Sequence, residues 1–277
     1  METSFGVVTT VGSVRQVNQD NFYLNGKIKK IDNKEDKLSG TSESECQLFA
    51  VADGMGGESF GEIASQIAVE ALGEYQDRNI EYNWKEYIRK TNQKICEYQK
   101  DKQLNMGTTF AGLSISASKV IAINVGDTRI YQIRKGKIRQ LSKDHNEYQT
   151  LMDAGIQMPE RVMRMAKSHL TQFLGVPDSS FELEPHITIV DSVFEGDIYL
   201  LCSDGLYGVL PEEQIRSMIC EGQKDQGMIC RSLVKSAEEK GSRDNITAMI
   251  VKITNSKSGK LRQLGLHMRD FLRKENA

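Results

Sequence analysis

A short apolar run that stops at an aspartate constrains this chain more than any other feature. Residues 47–52 have the composition of a buried strand, and Asp53 follows, with glycines at positions 54, 56 and 57. Glycine allows the backbone to turn sharply and to approach other groups closely. We therefore expect a strand that ends near Ala52 and presents a carboxylate and a bare carbonyl, which are hard oxygen ligands for Mg²⁺ or Mn²⁺. An ordinary Asp-Gly turn would leave the same local pattern.

Composition narrows the class of protein. The 277 residues carry a net charge of -2, which gives no support to a nucleic-acid partner. No apolar run is long enough for a transmembrane helix, and residues 1–8 lack the pattern of a signal peptide. The five cysteines are odd in number and contain no C-x-x-C pair, which is typical of reduced thiols in a cytoplasmic protein. We expect a monomer.

Hydrophobic periodicity predicts strands at both ends of the chain and paired helices between them. One amphipathic pair is expected at residues 63–72 and 84–98, and a second at 212–220 and 228–237. Strands are expected at residues 3–11, 22–24, 110–116, 120–125, 129–134, 137–141, 187–190, 197–202 and 246–253. This order indicates mixed α/β layers in which much of the sheet is antiparallel.

Three segments are less regular. Residues 27–45 are charged and poor in apolar groups, so we expect a mobile surface loop there. Asp144 is a candidate N-cap for a helix that ends near Ala154. Residues 158–177 are expected to form a mobile flap, of which 158–171 would shape access to a site.

Four further aspartates resemble Asp53 because they stand at predicted strand ends: Asp20, Asp127, Asp204 and Asp244. Each of them alone is typical of a turn. If the five converge, their mutual repulsion raises their pKa values unless divalent cations compensate the charge. Two such ions could hold a bridging water and aim it at phosphorus. Arg15 has a planar fork that suits phosphate oxygens, whereas a lone arginine elsewhere would be a solvated surface charge.

Seven motifs follow one another in a specific order: Val14-Arg15 with Asn18-Gln19-Asp20, Asp53-Gly54-Met55-Gly56-Gly57, Met106-Gly107-Thr108-Thr109, Asn124-Val125-Gly126-Asp127-Thr128-Arg129-Ile130-Tyr131, Leu141-Ser142-Lys143-Asp144-His145, Ser203-Asp204-Gly205 and Asp244-Asn245-Ile246-Thr247. Over about residues 5–253 their order and spacing resemble those of the metal-dependent Ser/Thr protein phosphatases of type 2C, the PPM family. Met55 and the Asn-Gln-Asp form resemble the bacterial branch of that family.

The resemblance implies an α+β fold and a signalling hydrolase. The fold would be a four-layer α-β-β-α sandwich, with two antiparallel β-sheets flanked by pairs of helices, and the phosphatase domain would span residues 1–254. The enzyme would hydrolyse phosphoserine and phosphothreonine monoesters by attack of a water that bridges two Mn²⁺ or Mg²⁺ ions. Its partners would be phosphorylated proteins, among them a Ser/Thr kinase and the substrates of that kinase.

The same resemblance assigns roles by position. Asp53 would bridge the two metals, the Gly54 carbonyl would bind one of them, and Asp204 and Asp244 would hold the first. Asp20 would bind or orient waters at the second metal. Asp127 would help to hold a weaker third metal, and Arg15 would bind the substrate phosphate. The catalytic residues would thus be Arg15, Asp20 and Asp53.

Two positions depart from many eukaryotic members of the family. Gln19 stands where those members have glutamate, and Met55 stands where they have a histidine that is proposed as the general acid. Because Met55 has no proton to donate, water bound to the metals would have to protonate the leaving oxygen. His145 is expected to make a structural hydrogen bond.

Two alternative functions stay open at the level of sequence. One is a phosphatase-fold sensor or scaffold that binds a partner without turnover. The other is a serine hydrolase, because Gly57-Glu58-Ser59-Phe60-Gly61 matches the G-x-S-x-G elbow, although the predicted strand ends too early to present Ser59. A cysteine-based phosphatase is excluded, since no cysteine is followed six residues later by arginine.

The C-terminal residues 255–277 differ in composition from the rest of the chain. Apolar residues recur on one side of a predicted helix that is rich in Lys and Arg: Leu261, Leu264, Met268, Phe271 and Leu272. Such a basic amphipathic segment packs on its own domain, or it binds a partner or a membrane surface.

Overall fold

The computed structural model describes residues 1–56, 60–76, 80, 83–177, 182–221 and 225–255. Its strands are β1 (Glu2–Thr10), β2 (Asp20–Leu24), β3 (Lys27–Ile28), β4 (Glu35–Ser42), β5 (Gln47–Met55), β6 (Gly107–Thr108), β7 (Phe110–Ile115), β8 (Val120–Val125), β9 (Arg129–Arg134), β10 (Lys137–Gln140), β11 (His186–Val190), β12 (Ile198–Cys202) and β13 (Ile246–Asn255). Its helices are α1 (Gly61–Gly73), α2 (Trp84–Lys102), α3 (Glu147–Asp153), α4 (Glu160–Ser168), α5 (Asp204–Tyr207), α6 (Glu212–Glu221) and α7 (Gln226–Glu239).

The strands form two antiparallel sheets. One has the order β10-β9-β12-β13-β1-β4, and the other has the order β11-β8-β7-β5-β2-β3, with the short β6 paired to β5. Helix α1 packs on β2 and β5 and against α2, whereas α7 packs on β1 and β13 and against α6. The described residues therefore form the four-layer α-β-β-α sandwich predicted from the sequence, with both predicted helix pairs in place.

Strand periodicity explains why the sandwich has three apolar layers. In β5, Phe49 and Val51 point into the core between the two sheets, while Leu48 and Ala50 point into the core beneath α1 and α2. The strands of the other sheet alternate in the same way between the central core and the core beneath α6 and α7. Since successive side chains of a strand face opposite sides, a sheet covered on both faces is built from nearly continuous apolar runs.

The prediction of a mobile loop at residues 27–45 is wrong. This segment contains β3 and β4, and β4 pairs with β1 from Thr3 opposite Ser42 to Thr10 opposite Glu35. Because β4 is the edge strand of its sheet, most of its side chains are partly or fully exposed and carry polar groups. A polar edge strand lacks the apolar alternation on which the prediction relied.

Asp144 does not cap α3, which corrects a second prediction. The helix begins after Asn146, whose side chain accepts a hydrogen bond from the Gln149 amide at 2.9 Å. Asp144 instead accepts hydrogen bonds from Nε and Nη2 of the Arg129 guanidinium. The expected flap at 158–177 contains α4, so part of it is helical.

Among the helices in the described ranges, none combines the length and the apolar composition needed to cross a bilayer. The predicted tail at residues 255–277 lies, apart from Asn255, outside the described residues. Ser59, the nucleophile of the alternative serine hydrolase, lies outside them as well.

Candidate active site

Asp20 and Asp53 face each other across two adjacent strands. In the antiparallel pairing of β2 with β5, they are direct partners in the register. The sequence predicted that the strand ends near Ala52, but β5 continues through Asp53 to Met55. Hydrogen bonds with Thr109 explain the extension, since its Oγ1 accepts from the Asp53 amide at 3.0 Å and its own amide donates to the Asp53 carbonyl at 2.9 Å.

The other three acids lie next to the ends of three neighbouring strands of the facing sheet. Asp127 lies in the turn between β8 and β9, Asp204 begins α5 directly after β12, and Asp244 precedes β13. The pairing of β9, β12 and β13 brings these strand ends side by side, with Cys202 opposite both Arg129 and Ala248. Topology therefore collects acids that are far apart in the sequence.

Two hydroxyl groups join the sheets at this point. The Oδ2 atom of Asp20 accepts hydrogen bonds from Thr247 Oγ1 at 2.6 Å and from Ser203 Oγ at 2.8 Å. Thr247 lies in β13 of the facing sheet and Ser203 directly follows β12, so these bonds fix Asp20 relative to Asp204 and Asp244. Neither hydroxyl has a predicted role, although both residues stand within the motifs of the family.

The acids perturb one another strongly. Burial, followed by the charges of Asp204 and Asp244, raises the pKa of Asp20 to about 7, although its two hydroxyl partners lower it. Burial and neighbouring carboxylates also raise the pKa of Asp127 to about 7 and that of Asp204 to about 6. The pKa of Asp53 lies well above its ordinary value, first because of burial and then because of Asp20. The five predicted acids thus form one electrostatic cluster.

Two oxygen atoms in this cluster are buried without a hydrogen-bond partner among the described residues, namely Asp20 Oδ1 and Asp204 Oδ1. An unpaired buried carboxylate oxygen is costly and calls for a cation or an ordered water. The donor set consists of hard oxygen atoms, which suits Mg²⁺ or Mn²⁺. The residues present therefore fit the divalent ions that the sequence implied.

The acids do not form a closed metal site by themselves. Within the described ranges, no group of three or more His, Cys, Asp or Glu side chains is arranged as a ready-made ion cage. Mg²⁺ keeps several waters and uses one or two carboxylates. An open cluster of acids is therefore compatible with such an ion.

Gly54 has a steric reason to be glycine. A Cβ atom at this position would lie 2.1 Å from the Gly61 carbonyl oxygen, so no side chain fits between β5 and the start of α1. The residue before α1, Phe60, has a φ of 86°, which is rare and strained for a side chain of this size. The close approach packs the Gly54 backbone against the start of α1.

Arg15 lies at the exposed side of the acid cluster. Its Nη2 donates a hydrogen bond to Asp244 Oδ2 at 2.7 Å, and the charges of Asp53 and Asp204 add to the effect of Asp244 in raising its pKa. About half of the Arg15 side chain is exposed, which leaves it within reach of a ligand. The predicted phosphate-binding residue is thus adjacent to the predicted metal ligands.

Asn245 and Lys29 support the loop that carries Arg15, and sequence reasoning missed both. The Asn245 side chain accepts from the Gln19 amide at 2.8 Å and donates to the carbonyls of Val11 and Val17 at 3.0 Å. The Lys29 ammonium, 1% exposed as a residue, donates to the Asn18 carbonyl at 3.1 Å. Asn245 stands within the last motif, whereas Lys29 gives no signal because its segment is predicted to be a loop.

His145 makes the structural hydrogen bond expected of it, and the Cys202 thiol is buried. The Nδ1 atom of His145 accepts a hydrogen bond from the Gly126 amide at 3.2 Å, and burial lowers the pKa of this histidine to about 4. Burial raises the pKa of the Cys202 thiol to about 12, so it is an inert thiol.

A two-sheet sandwich with five acids and an arginine at one edge defines a class of metal-dependent phosphatases, and comparison with known proteins agrees. Residues 25–224 match the family model for protein phosphatase 2C. The protein phosphatase PhpP of Streptococcus pneumoniae is 32% identical over 258 residues, which cover 88% of this chain and 95% of that protein. The serine/threonine protein phosphatase PstP of Mycobacterium tuberculosis is 31% identical over 218 residues, which cover 76% of this chain and 41% of PstP.

Comparison with a solved structure agrees with the sequence comparisons. The catalytic domain of PstP in complex with two manganese ions superposes with a TM-score of 0.74 at 27% identity, covering 92% of this chain and all of that one. The chain therefore belongs to the protein phosphatase 2C family. The predicted family and the predicted fold are both confirmed, and these relatives are bacterial proteins. This chain spans less than half the length of PstP.

Proposed function

We propose that this protein hydrolyses phosphoserine and phosphothreonine monoesters in other proteins with the help of divalent metal ions. The observation that carries the proposal is the pairing of Asp20 with Asp53 across β2 and β5, inside a cluster that also contains Asp204. Clustered acids with unpaired buried oxygens favour a site that a cation completes. The relatives are named as serine/threonine protein phosphatases, which supports the substrate class.

The ligands follow from the positions of the acids. Asp53, the Gly54 carbonyl, Asp204 and Asp244 would hold a pair of Mn²⁺ or Mg²⁺ ions, and Asp20 would fix waters around the pair. Asp127 would help to hold a weaker third ion. Bound divalent ions would supply charge compensation and a nucleophile at neutral pH. The two manganese ions in the related PstP structure favour manganese in solution experiments.

The chain itself supplies substrate binding and orientation. Arg15 would take the phosphate through its planar fork, and its partial exposure leaves room for a substrate. Asn245 would hold the Arg15 loop through its bonds to residues 11, 17 and 19. Met55 offers no proton, so this chain provides no side-chain acid at that position.

The two alternatives receive less support. A sensor without turnover would not need the five aspartates and Arg15, yet all six residues are present and lie close together. For a serine hydrolase, β5 would have to deliver Ser59 at its end, but the strand ends at Met55. The phosphatase names of the relatives favour the enzyme over both.

The cellular setting is part of the proposal. We place the protein in the cytoplasm as a monomer, with a Ser/Thr kinase and its substrates as partners in signal transduction. Residues 1–254 would be the phosphatase domain, and residues 255–277 would be a basic helix or tail that binds a partner or a membrane surface.

Metal-dependent hydrolysis of p-nitrophenyl phosphate and of a phosphothreonine peptide tests the activity. We expect turnover with Mn²⁺, loss of turnover with EDTA, and loss in Asp53→Asn and Asp204→Asn. Asp101→Asn is the matched control, since Asp101 is an exposed acid at the end of α2, and it should behave as the parent. Absence of turnover with any divalent ion, or stoichiometric labelling of Ser59 by a fluorophosphonate, would overturn the proposal.

A further inference from the structure

Tyr207 contacts Asp127 directly. Its hydroxyl lies 2.9 Å from the Asp127 carbonyl oxygen and 3.1 Å from Asp127 Oδ2, and it donates to both acceptors. Tyr207 is the last residue of α5, the short helix whose first residue is Asp204. One rigid helical turn therefore carries one acid of the cluster and holds a second acid through a hydroxyl group.

The ring of Tyr207 is itself held in place. The guanidinium carbon of Arg129 lies 3.9 Å from the centroid of the ring, which is a cation–π geometry. Arg129 is fixed in turn by Asp144, to which it donates from Nε at 3.0 Å and from Nη2 at 2.7 Å. Gln140 donates to the same carboxylate at 2.9 Å. The position of the Tyr207 hydroxyl is thus set by a chain of partly buried polar contacts.

Asp127 needs such a partner because of its neighbours. It is 8% exposed, and after burial the charge of Asp204 is the largest influence that raises its pKa. Left to itself, a carboxylate beside another carboxylate would rotate away from it. The Tyr207 hydroxyl bond opposes that rotation, and a hydrogen bond to an ionised acceptor is stronger than a neutral one.

The backbone of the Asp127 turn is fixed independently of Tyr207. Gly126 has a φ of 94°, its amide donates to His145 Nδ1, and its carbonyl accepts from the His145 amide at 3.0 Å. Thr128 shares a hydrogen bond with Thr109 at 2.6 Å. Removal of the Tyr207 hydroxyl should therefore free the Asp127 side chain without unfolding the turn.

We propose that Tyr207 is a positioning residue for the divalent ion that Asp127 would hold. Its hydroxyl would hold the Asp127 carboxylate in place beside Asp204, in the orientation that binding of the weaker third ion would need. The proposal rests on the proposed function, because it needs a metal-binding cluster. Tyr207 itself lies outside the motifs from which the site was predicted.

Manganese binding to Tyr207→Phe tests the proposal directly. This variant keeps the ring beneath Arg129 and removes one oxygen atom. We expect the tightest class of Mn²⁺ sites, followed by the electron paramagnetic resonance signal of free Mn²⁺, to match the parent. The weakest class should lose about five- to tenfold in affinity, as expected when a charge-assisted bond is removed.

Two further variants separate positioning from general damage. Tyr199→Phe is the control for loss of a tyrosine hydroxyl away from the acids, because the Tyr199 hydroxyl lies beside Gln132, from which it accepts at 3.3 Å, and Arg134, and its ring is buried. It should bind Mn²⁺ as the parent does. In an Asp127→Asn background, Tyr207→Phe should cause no additional loss, since the two residues act as one unit.

The outcomes are distinct. Parent-like binding of Mn²⁺ by Tyr207→Phe, an equal loss from every class of site, or a full additional loss in the Asp127→Asn background would each overturn the role of Tyr207. Failure of the parent protein to bind Mn²⁺ at all would instead overturn the proposed function together with the inference.

Discussion

Arg15 donates through Nη2 to Asp244 Oδ2 at 2.7 Å, so the residue proposed to bind phosphate is paired with a residue proposed to bind metal. The same carboxylate oxygen cannot serve both partners fully. The pair is nearly half exposed, with side-chain accessibilities of 49% and 40%, so its contribution to stability is small. Metal binding at Asp244 would release the guanidinium towards the substrate at little energetic cost.

Replacement of Arg15 should therefore change two affinities in opposite directions. In Arg15→Ala we expect a KM for p-nitrophenyl phosphate that is raised about tenfold, since a bidentate charged contact is lost. Affinity for Mn²⁺ should rise about two- to fivefold, because Asp244 loses a competitor and the cluster loses a positive charge. Calorimetric Mn²⁺ titration and steady-state kinetics measure the two effects.

Arg15→Lys is the control for charge. It keeps the positive charge but not the planar fork, so Mn²⁺ affinity should stay close to that of the parent while KM stays raised. Weaker Mn²⁺ binding in Arg15→Ala would show that the arginine supports the metal ligands instead of competing for them.

The acid cluster should make the metal-free protein less stable as the pH rises. The pKa values of Asp20 and Asp127 are about 7 and that of Asp204 about 6 in the folded protein, against 3.8 in the unfolded chain. The folded state therefore holds protons that the unfolded state has released. This stabilising contribution is complete below about pH 4 and is lost as the pH rises through 6 to 7.

Thermal unfolding in EDTA between pH 5 and pH 8 measures this dependence. We expect the Tm to fall by more than about 2–4 °C, the equivalent of 1 kcal/mol in a domain of this size. Saturating Mn²⁺ should remove most of the fall, and Asp204→Asn should reduce it in EDTA. A Tm that rises over this range without metal would contradict the clustering of the acids.

Gly54 should tolerate no side chain. In Gly54→Ala the new Cβ would lie 2.1 Å from the Gly61 carbonyl oxygen, so β5 and α1 would have to separate next to Asp53. We expect a loss of at least about 2 kcal/mol in the free energy of unfolding, which urea denaturation measures, together with weaker Mn²⁺ binding.

Gly73→Ala provides the comparison within α1. A Cβ atom there would lie 3.7 Å from the nearest atom, in the Tyr23 ring, and alanine favours the helix by up to about 1 kcal/mol over glycine. This variant should be as stable as the parent or more so. Equal behaviour of the two variants would show that the close approach at Gly54 is relaxed in solution.

Sequence patterns were sufficient for the elements that bury apolar residues. The helix pairs and most strands were predicted because their apolar residues repeat with periods of about 3.6 or 2. Strand β4 was missed because an edge strand exposes polar groups, and the start of α3 was misplaced because the side chain of Asp144 is engaged by Arg129. A single sequence does not reveal an ion pair between residues on different elements.

The candidate site divides in the same way. Its acids were found because each stands at a strand end within a motif. The groups that hold them were not found, since the bonds of Thr247 and Ser203 to Asp20 span 227 and 183 residues and exist only once the two sheets face each other. Tyr207 lacked a signal for the same reason, because its partner Asp127 is 80 residues away.

Anomalous diffraction from a crystal soaked in manganese tests the central claim most directly. The account predicts two strong anomalous peaks within bonding distance of Asp53, with Asp204 and Asp244 beside one of them. A crystal whose anomalous map shows no manganese among these carboxylates, under conditions in which the protein hydrolyses p-nitrophenyl phosphate, would contradict it.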